Sequence, residues 1–156
     1  MTDAKEPDLD SLLGAMVRSA ASLELMLRVL LSSRIGPRGE LVAAGEGVSR
    51  LIELSRVLAE AEEGMEADRL ASLRDLLSGC KSAFSRRDQY VHGAWLVHPD
   101  LKGLGTMRSR RNRAAPQLEP VKADELRELR ESFERLYLEV GKWIWNSPSG
   151  DRFLQP

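Results

Sequence analysis

The chain has 156 residues, of which 30% are charged and 42% hydrophobic, and its formal net charge is −1, as expected for one compact soluble domain. No run of 18 apolar residues occurs, which excludes a membrane span, and the polar start MTDAKEPDLD is unlike a secretory signal. One cysteine and two histidines exclude an internal disulfide and argue against a zinc site. We therefore expect a cytoplasmic protein with no metal and no cofactor.

Four segments show the spacing of apolar residues that indicates amphipathic helices. The second of them becomes clear at Ser49, a good N-cap residue. The fourth repeats its apolar residues at alternating spacings of three and four, which is typical of the seam of a helical bundle. We predict an all-α fold, a four-helix bundle with helices over about 8–34, 48–63, 66–91 and 123–145.

The connection between the third and fourth predicted helices, residues 94–121, is too long to lack structure in a compact domain. The stretches AWLVH (94–98) and GLGTMRS (103–109) have the composition of short strands, and PDLKG between them reads as a turn. We therefore predict a short β-hairpin-like insertion before the last helix, within a single domain that covers the chain.

Positive charge is concentrated in one part of the sequence. Residues 81–113 contain eight basic and two acidic side chains, a balance of +6, although the whole chain carries −1. Such a patch favours a phosphate-bearing partner, whereas a solvated loop is the alternative. Four arginines of this segment are candidates for contact with an RNA backbone, or belong to a flexible basic loop: Arg108, Arg110, Arg111 and Arg113.

The end of the third predicted helix carries residues that suit one reaction. Asp88 and His92 are four residues apart and share a helix face, and Arg87 lies beside them. RNA is cut without a metal when its 2′-hydroxyl attacks the adjacent phosphorus, a step that needs an acid–base group and a cation. His92 suits the first role, and the guanidinium of Arg87 suits the second.

At this point the sequence resembles a known family. RDQYVH at 87–92 is similar to the R-polar-x-x-x-H signature of the HEPN superfamily, which lies at the end of the third helix of a four-helix bundle. Arg87, Asp88 and His92 match it position by position, and HGAW extends the match. The resemblance covers most of the chain as topology and about seven residues as sequence.

The resemblance implies an activity and partners. Many HEPN proteins are metal-independent endoribonucleases of toxin–antitoxin, phage-defence or CRISPR-associated systems, and they act as homodimers whose two motifs face one cleft. It therefore implies RNA as substrate, an antitoxin or other partner protein, and catalysis by Arg87 and His92 with Asp88. Some relatives carry a modifiable tyrosine two positions after the histidine, but this chain has Ala94 there.

Accessory roles are open for three further residues. Glu24 is the acidic residue that some HEPN nucleases place on the first helix near the motif, although its spacing equally permits an ion pair with Arg28. Arg86 is expected to bind phosphate or to face solvent. Tyr90 is expected to stack on a base or to join the core.

Asp88 either orients His92 or pairs with an arginine. Trp95 is expected in core or dimer packing, and His98 in a turn. His92 itself has a non-catalytic alternative, a helix-end histidine that caps a carbonyl group.

Three functions from different classes follow. The leading prediction is a homodimeric HEPN-type ribonuclease in a basic cleft. The second is a catalytically inactive HEPN bundle that binds a protein or a nucleotide. The third is a helical adaptor without a ligand site, for which the positive segment would be scattered over the surface.

Overall fold

A computed structural model describes residues 8–36, 38–98, 103–108 and 117–146. These residues form five helices: α1 (Leu9–Ile35), α2 (Gly39–Ala43), α3 (Val48–Ala61), α4 (Ala67–Val91) and α5 (Ala123–Trp145). Three strands lie between α4 and α5: β1 (Ala94–His98), β2 (Gly103–Arg108) and β3 (Gln117–Pro120). The mostly helical fold expected from the sequence is confirmed, and the four long helices begin and end within a few residues of their predicted bounds.

The short helix α2 is absent from the prediction. Its first residue, Gly39, lies so close to α1 that a Cβ atom there would be 2.6 Å from the Cα atom of Ser32. Its last turn is held by Arg28 of α1, which donates hydrogen bonds to the carbonyls of Ala43 and, at 3.2 Å, of Glu46. A tertiary contact therefore makes this segment helical, because five residues are too few to form a stable helix alone.

The predicted N-cap of α3 is wrong by two residues. The helix begins at Val48, and the extended residue Gly47 precedes it. The carbonyl of Gly47 accepts the backbone N–H groups of Arg50 at 2.9 Å and Leu51 at 3.0 Å, as the carbonyl of an N-cap residue does. Ser49 therefore lies inside the first turn.

α1 and α5 run in the same direction. The Ser19 hydroxyl donates a hydrogen bond to Glu134 at 3.2 Å. Seven residues further along both helices, about two turns, a Cβ atom on Gly141 would lie 3.6 Å from the Cε atom of Met26. Residue numbers therefore rise together along the two helices.

α4 runs opposite to α5. Near the end of α4, Tyr90 bonds to Glu125 at the start of α5, whereas Arg69 near the start of α4 bonds to the carbonyl of Trp143 at 2.7 Å. The C-terminal end of α4 therefore lies at the same end of the molecule as the N-terminal ends of α1 and α5.

The interior lies among α1, α3, α4 and α5. Where α4 meets α5, the rings of Phe84 and Phe133 pack edge to face with their centroids 5.1 Å apart, a contact that contributes about 0.5–1.5 kcal/mol beyond its buried area. The largest fully buried apolar side chains are Met16, Leu23, Leu27, Leu30, Leu31, Leu51, Leu73, Leu126, Leu129, Phe133 and Val140.

The insertion is a three-stranded antiparallel sheet in the order β1-β2-β3. The predicted hairpin of β1 and β2 is confirmed, and the third strand, QLEP, is an addition to it. Trp95 of β1 pairs with Thr106 of β2, and Thr106 is fully buried. The prediction missed β3 because a run of four residues that contains a proline is too short and too weakly strand-forming to indicate a strand.

Gly93 lets this sheet approach the end of α4. A Cβ atom on Gly93 would lie 2.7 Å from the carbonyl oxygen of Gln89 and 3.3 Å from the Cβ atom of Thr106. The first of these neighbours is backbone, which has little freedom to move away. Glycine is therefore required between the last turn of α4 and β1.

Candidate functional site

The inner stripe of α4, called the seam below, is apolar and buried along most of the helix but becomes partly exposed near its end. Spacings of four and three residues continue along the whole stripe, which consists of Leu73, Leu77, Cys80, Phe84, Arg87 and Val91. The first four of these side chains are buried, whereas the Arg87 side chain is 23% exposed and Val91 is 43% exposed. A cation thus takes a seam position at the place where the seam opens.

The seam opens because α3 is short. Glu60, next to the last residue of α3, is paired with Arg74 of α4 at 2.8 Å. α3 begins at Val48, twelve residues before Glu60, a length of roughly 18 Å at the helical rise per residue. Because only five residues join α3 to α4, the two helices run antiparallel, and the same length along α4 reaches from Arg74 to about position 86. Residues 87–92, which carry the motif at the end of α4, therefore extend beyond α3.

Arg87 is held in a defined orientation. Its Nε and Nη2 atoms donate to Oδ1 of Asp88 at 3.0 and 2.6 Å, and its guanidinium carbon lies 5.2 Å from the centre of the Phe84 ring. Among the described residues, its Nη1 atom has no hydrogen-bond acceptor. A partly exposed guanidinium with a free donor edge can bind a phosphate oxygen without reorienting.

Asp88 pairs with Arg87, the second of the two roles expected for it. His92 follows the last residue of α4 and is exposed, and its backbone N–H closes the final turn by donating to the Asp88 carbonyl at 3.0 Å. Within the described part of the chain, the His92 imidazole makes no hydrogen bond. Its ring is therefore accessible to a ligand, and Asp88 does not orient it in the single chain.

Tyr90 belongs to the core, the second of the two roles expected for it. The residue is 3% exposed, and its hydroxyl donates to Oε2 of Glu125 at 2.7 Å. Trp95 is half-buried against the core, as expected, and its indole N–H donates to the Tyr90 carbonyl at 2.7 Å. No face of the Tyr90 ring is open to a ligand.

Glu24 forms the ion pair that was the alternative to a site role. It accepts from Arg28 at 2.8 Å, and both side chains are about one quarter exposed, at 28%. Arg28 in turn holds α2 in place, so the pair has a structural role in the α1–α2 corner.

Glu24 also lies far from the motif. Ser19, five residues before it, contacts Glu134, which is nine residues beyond the Tyr90 partner Glu125. Because α1 and α5 are parallel, Glu24 lies roughly 20 Å along the helix axis from the Tyr90 end of α4. The structure therefore does not bring Glu24 to Arg87 and His92 within one chain.

Arg86 is half-buried and makes no ion pair or side-chain hydrogen bond in the described part of the chain. The predicted RNA-backbone residues Arg110, Arg111 and Arg113 lie outside the described residues. Arg108 ends β2, but its side chain, like that of His98, is also outside them. The merging of the positive segment into one patch therefore stays a prediction.

Cys80 is not a reactive group. It is fully buried in the α4 stripe, and this burial raises the pKa of its thiol to about 12. A thiol with this pKa carries almost no thiolate at neutral pH and is a poor nucleophile.

The described residues contain no group of three or more histidine, cysteine, aspartate or glutamate side chains placed to hold a metal ion. In the same part of the chain, every helix is too short or too polar to cross a membrane. Neither finding adds a residue to the candidate site.

An open groove of about 820 Å³ lies between α4 and α5 at the opposite end of the molecule. The guanidinium carbons of Arg34 and Arg69 lie 4.7 and 4.2 Å from the centre of the Trp143 ring. The groove is lined by three cationic and three anionic side chains, Arg69, Arg135, Lys142, Asp68, Asp75 and Glu139. No sequence pattern indicates it, because its residues come together only when the two helices pack.

No protein-family model, no curated protein and no solved structure matches this chain.

Proposed function

We propose that the protein is a metal-independent endoribonuclease of the HEPN type, with a four-helix bundle as its scaffold. Arg87 and His92 are the catalytic residues, and they act in a cleft shared by two copies of the chain. The observation that carries the proposal is the partly exposed Arg87 at a seam position, held by Asp88 and Phe84, five residues before an exposed His92. Folding alone favours an apolar residue at a seam position.

The reaction follows from these groups. The 2′ oxygen of a ribose bonds to the adjacent phosphorus, and the bond from phosphorus to the 5′ oxygen breaks. One proton leaves the 2′-hydroxyl and one proton reaches the 5′ oxygen, so the products are a 2′,3′-cyclic phosphate and a 5′-hydroxyl. His92 transfers protons, and Arg87 stabilises the negative charge of the phosphorane.

A second copy of the chain supplies the rest of the site. One imidazole in a given state either accepts or donates a proton, whereas the reaction needs both steps. Two motifs facing each other supply two imidazoles and two guanidinium groups. RNA binding would then use Arg86 and the basic segment of both chains.

The experiment measures cleavage of single-stranded RNA and transfer RNA in excess EDTA. We expect cleavage by the wild type, with a 2′,3′-cyclic phosphate detected by mass spectrometry. A 2′-O-methyl copy of the same RNA should stay intact, because it lacks the attacking hydroxyl. His92→Ala should lower the rate about 10²–10⁴-fold, and Arg87→Lys about 10²–10³-fold because lysine lacks the fork of donors.

His98→Ala is the matched control, since the chain has two histidines and His98 lies outside the motif. Sedimentation should give a dimer for the wild type and for every variant. An intact RNA with dimeric wild-type protein, or equal rates for His92→Ala and His98→Ala, would refute the nuclease proposal.

A catalytically inactive HEPN bundle is the second candidate, and one observation favours it. Asp88 bonds to Arg87, so within the described residues no carboxylate contacts His92. Such a module would bind a partner protein or a nucleotide through the same helix end. It predicts no RNA cleavage and a bound partner that is lost on Arg87→Ala.

A further inference from the structure

Tyr90 makes hydrogen bonds to two elements outside α4, one through its side chain and one through its backbone. Its hydroxyl donates to Oε2 of Glu125 in the first turn of α5, and its carbonyl accepts the indole N–H of Trp95 in β1, both at 2.7 Å. These three residues are called the Tyr90 clamp below. Tyr90 is buried, whereas its neighbours Val91 and His92 are exposed. The clamp is therefore the last buried anchor of α4 before the candidate catalytic histidine.

The Trp95 bond serves a carbonyl that the helix leaves without a partner. α4 ends at Val91, so the carbonyl of Tyr90 is among the last four, which find no N–H donor inside the helix. A side chain five residues later can supply that donor only if the chain reverses at once. Gly93 permits this reversal, because any Cβ there would strike the Gln89 carbonyl. The cap thus fixes the turn in which His92 lies.

The Glu125 bond fixes the same turn relative to α5. Glu125 also pairs with Lys122 at 3.2 Å, at the entry to that helix. Hydrogen bonds to a charged group are stronger than neutral ones. Both bonds hold Tyr90, which lies two positions before His92 and three positions after Arg87.

We infer that Tyr90, Glu125 and Trp95 are positioning residues, which hold the end of α4 so that Arg87 and His92 keep a fixed separation. This role rests on the proposed function for its catalytic consequence, but the clamp itself is a property of the fold. Because α3 does not cover residues 87–92, the clamp joins this end of the helix to α5 and β1 instead. Loss of the clamp frees the last turn of α4 while the core stays folded.

The test compares Tyr90→Phe with Tyr137→Phe. The chain has two tyrosines, and Tyr137 is half-buried and makes no hydrogen bond through its hydroxyl in the described part of the chain. We expect Tyr90→Phe to speed amide exchange of residues 87–92 about tenfold, the effect of one lost hydrogen bond. The imidazole NMR signals of His92, assigned with the help of His98→Gln, should shift and broaden. Tyr137→Phe should change neither reading.

Glu125 gives a second, conservative pair of variants. Glu125→Gln keeps an oxygen that accepts the Tyr90 hydroxyl and should preserve the His92 signals, whereas Glu125→Leu should change them as Tyr90→Phe does. Trp95→Phe keeps the aromatic ring and loses the indole donor, so it should speed exchange of the same turn. In the cleavage assay, Tyr90→Phe should lower kcat about tenfold with KM unchanged, since positioning and not binding is lost.

Equal exchange rates and His92 signals in Tyr90→Phe and Tyr137→Phe would overturn the clamp, and so would a Glu125→Leu variant that behaves like Glu125→Gln. Failure of the proposed function is a separate outcome. If the wild type cleaves no RNA, the nuclease is refuted, and the exchange and NMR readings still decide the clamp.

Discussion

The two halves of α4 continue the same helical spacing, but α3 covers the inner face of the first half and not that of the second. In the first half, Leu73, Leu77 and Cys80 are at most 2% exposed, on a helix that packs against both α3 and α5. In the second half the same spacing continues to Arg87 and Val91, but α3 has ended and both side chains reach solvent. Helical periodicity therefore sets which face points inward, and the length of a neighbouring helix sets whether that face is covered.

This difference separates residues that fold the protein from residues that are free for function. A seam position in the covered half must be apolar, because an unpaired charge there would be buried. A seam position in the open half tolerates a cation, and the sequence has one there, fixed by Asp88 and Phe84. The variants below test how sharp that boundary is.

The largest effect on stability is expected when an arginine is placed at a covered seam position, compared with a leucine at the open one. Leu77→Arg buries an uncompensated charge and should lower the free energy of unfolding by about 3–5 kcal/mol. Arg87→Leu loses a partly exposed ion pair and should change it by no more than about 1 kcal/mol. Urea denaturation followed by circular dichroism measures both.

Leu77→Met is the control for the first variant, since it keeps volume and polarity. A cost for Arg87→Leu as large as that for Leu77→Arg would mean that Arg87 is part of the core, and the contrast between the halves would fail.

A smaller effect is expected where the open half meets the sheet. Gly93→Ala places a Cβ atom 2.7 Å from the Gln89 carbonyl oxygen, and the resulting backbone shift should cost about 1–3 kcal/mol. Gly45→Ala is the matched control, because no heavy atom outside Gly45 and its two chain neighbours lies within 4 Å of its Cβ position. Thermal unfolding should show a lower Tm for Gly93→Ala alone.

Amide exchange locates the damage of Gly93→Ala. We expect faster exchange in the last turn of α4 and in β1, with α1 unchanged. Equal Tm values for the two alanine variants would show that the sheet accommodates the new methyl group, and the close approach would not be a constraint.

Much of the fold is predictable from local patterns. Leucine spacing on α1 and α5 locates both helices, and the glycines and prolines around AWLVH locate the hairpin. What the sequence alone does not reveal depends on contacts between distant residues. α2 needs Arg28 and the surface of α1, and β3 needs the edge of β2.

The candidate site shows the same division. Arg87, Asp88 and His92 lie close in sequence, so helical geometry alone places them together. The partner of Tyr90 is 35 residues away, and a tyrosine next to a motif gives no sign of whether it faces a ligand or the core. Glu24 shows another limit of the sequence: its spacing gives its face on α1 but not its distance along the helix axis from Arg87 and His92.

The smallest perturbation that still tests the comparison is a change of one thiol. Cys80 in the covered half is fully buried, and its pKa is raised to about 12 by burial, so the native wild type should not react with a disulfide reagent at pH 8. Val91→Cys places a second thiol in the open half, at a side chain that is 43% exposed. The new thiol should react in seconds to minutes, and the variant's free energy of unfolding should stay within about 1 kcal/mol of the wild type.

In urea, one thiol should react in the wild type and two in the variant, which controls for reagent quality. Rapid reaction of native Cys80, or protection of a thiol at position 91, would place the boundary between covered and open seam elsewhere on α4 and would remove the structural basis for assigning Arg87 to a site.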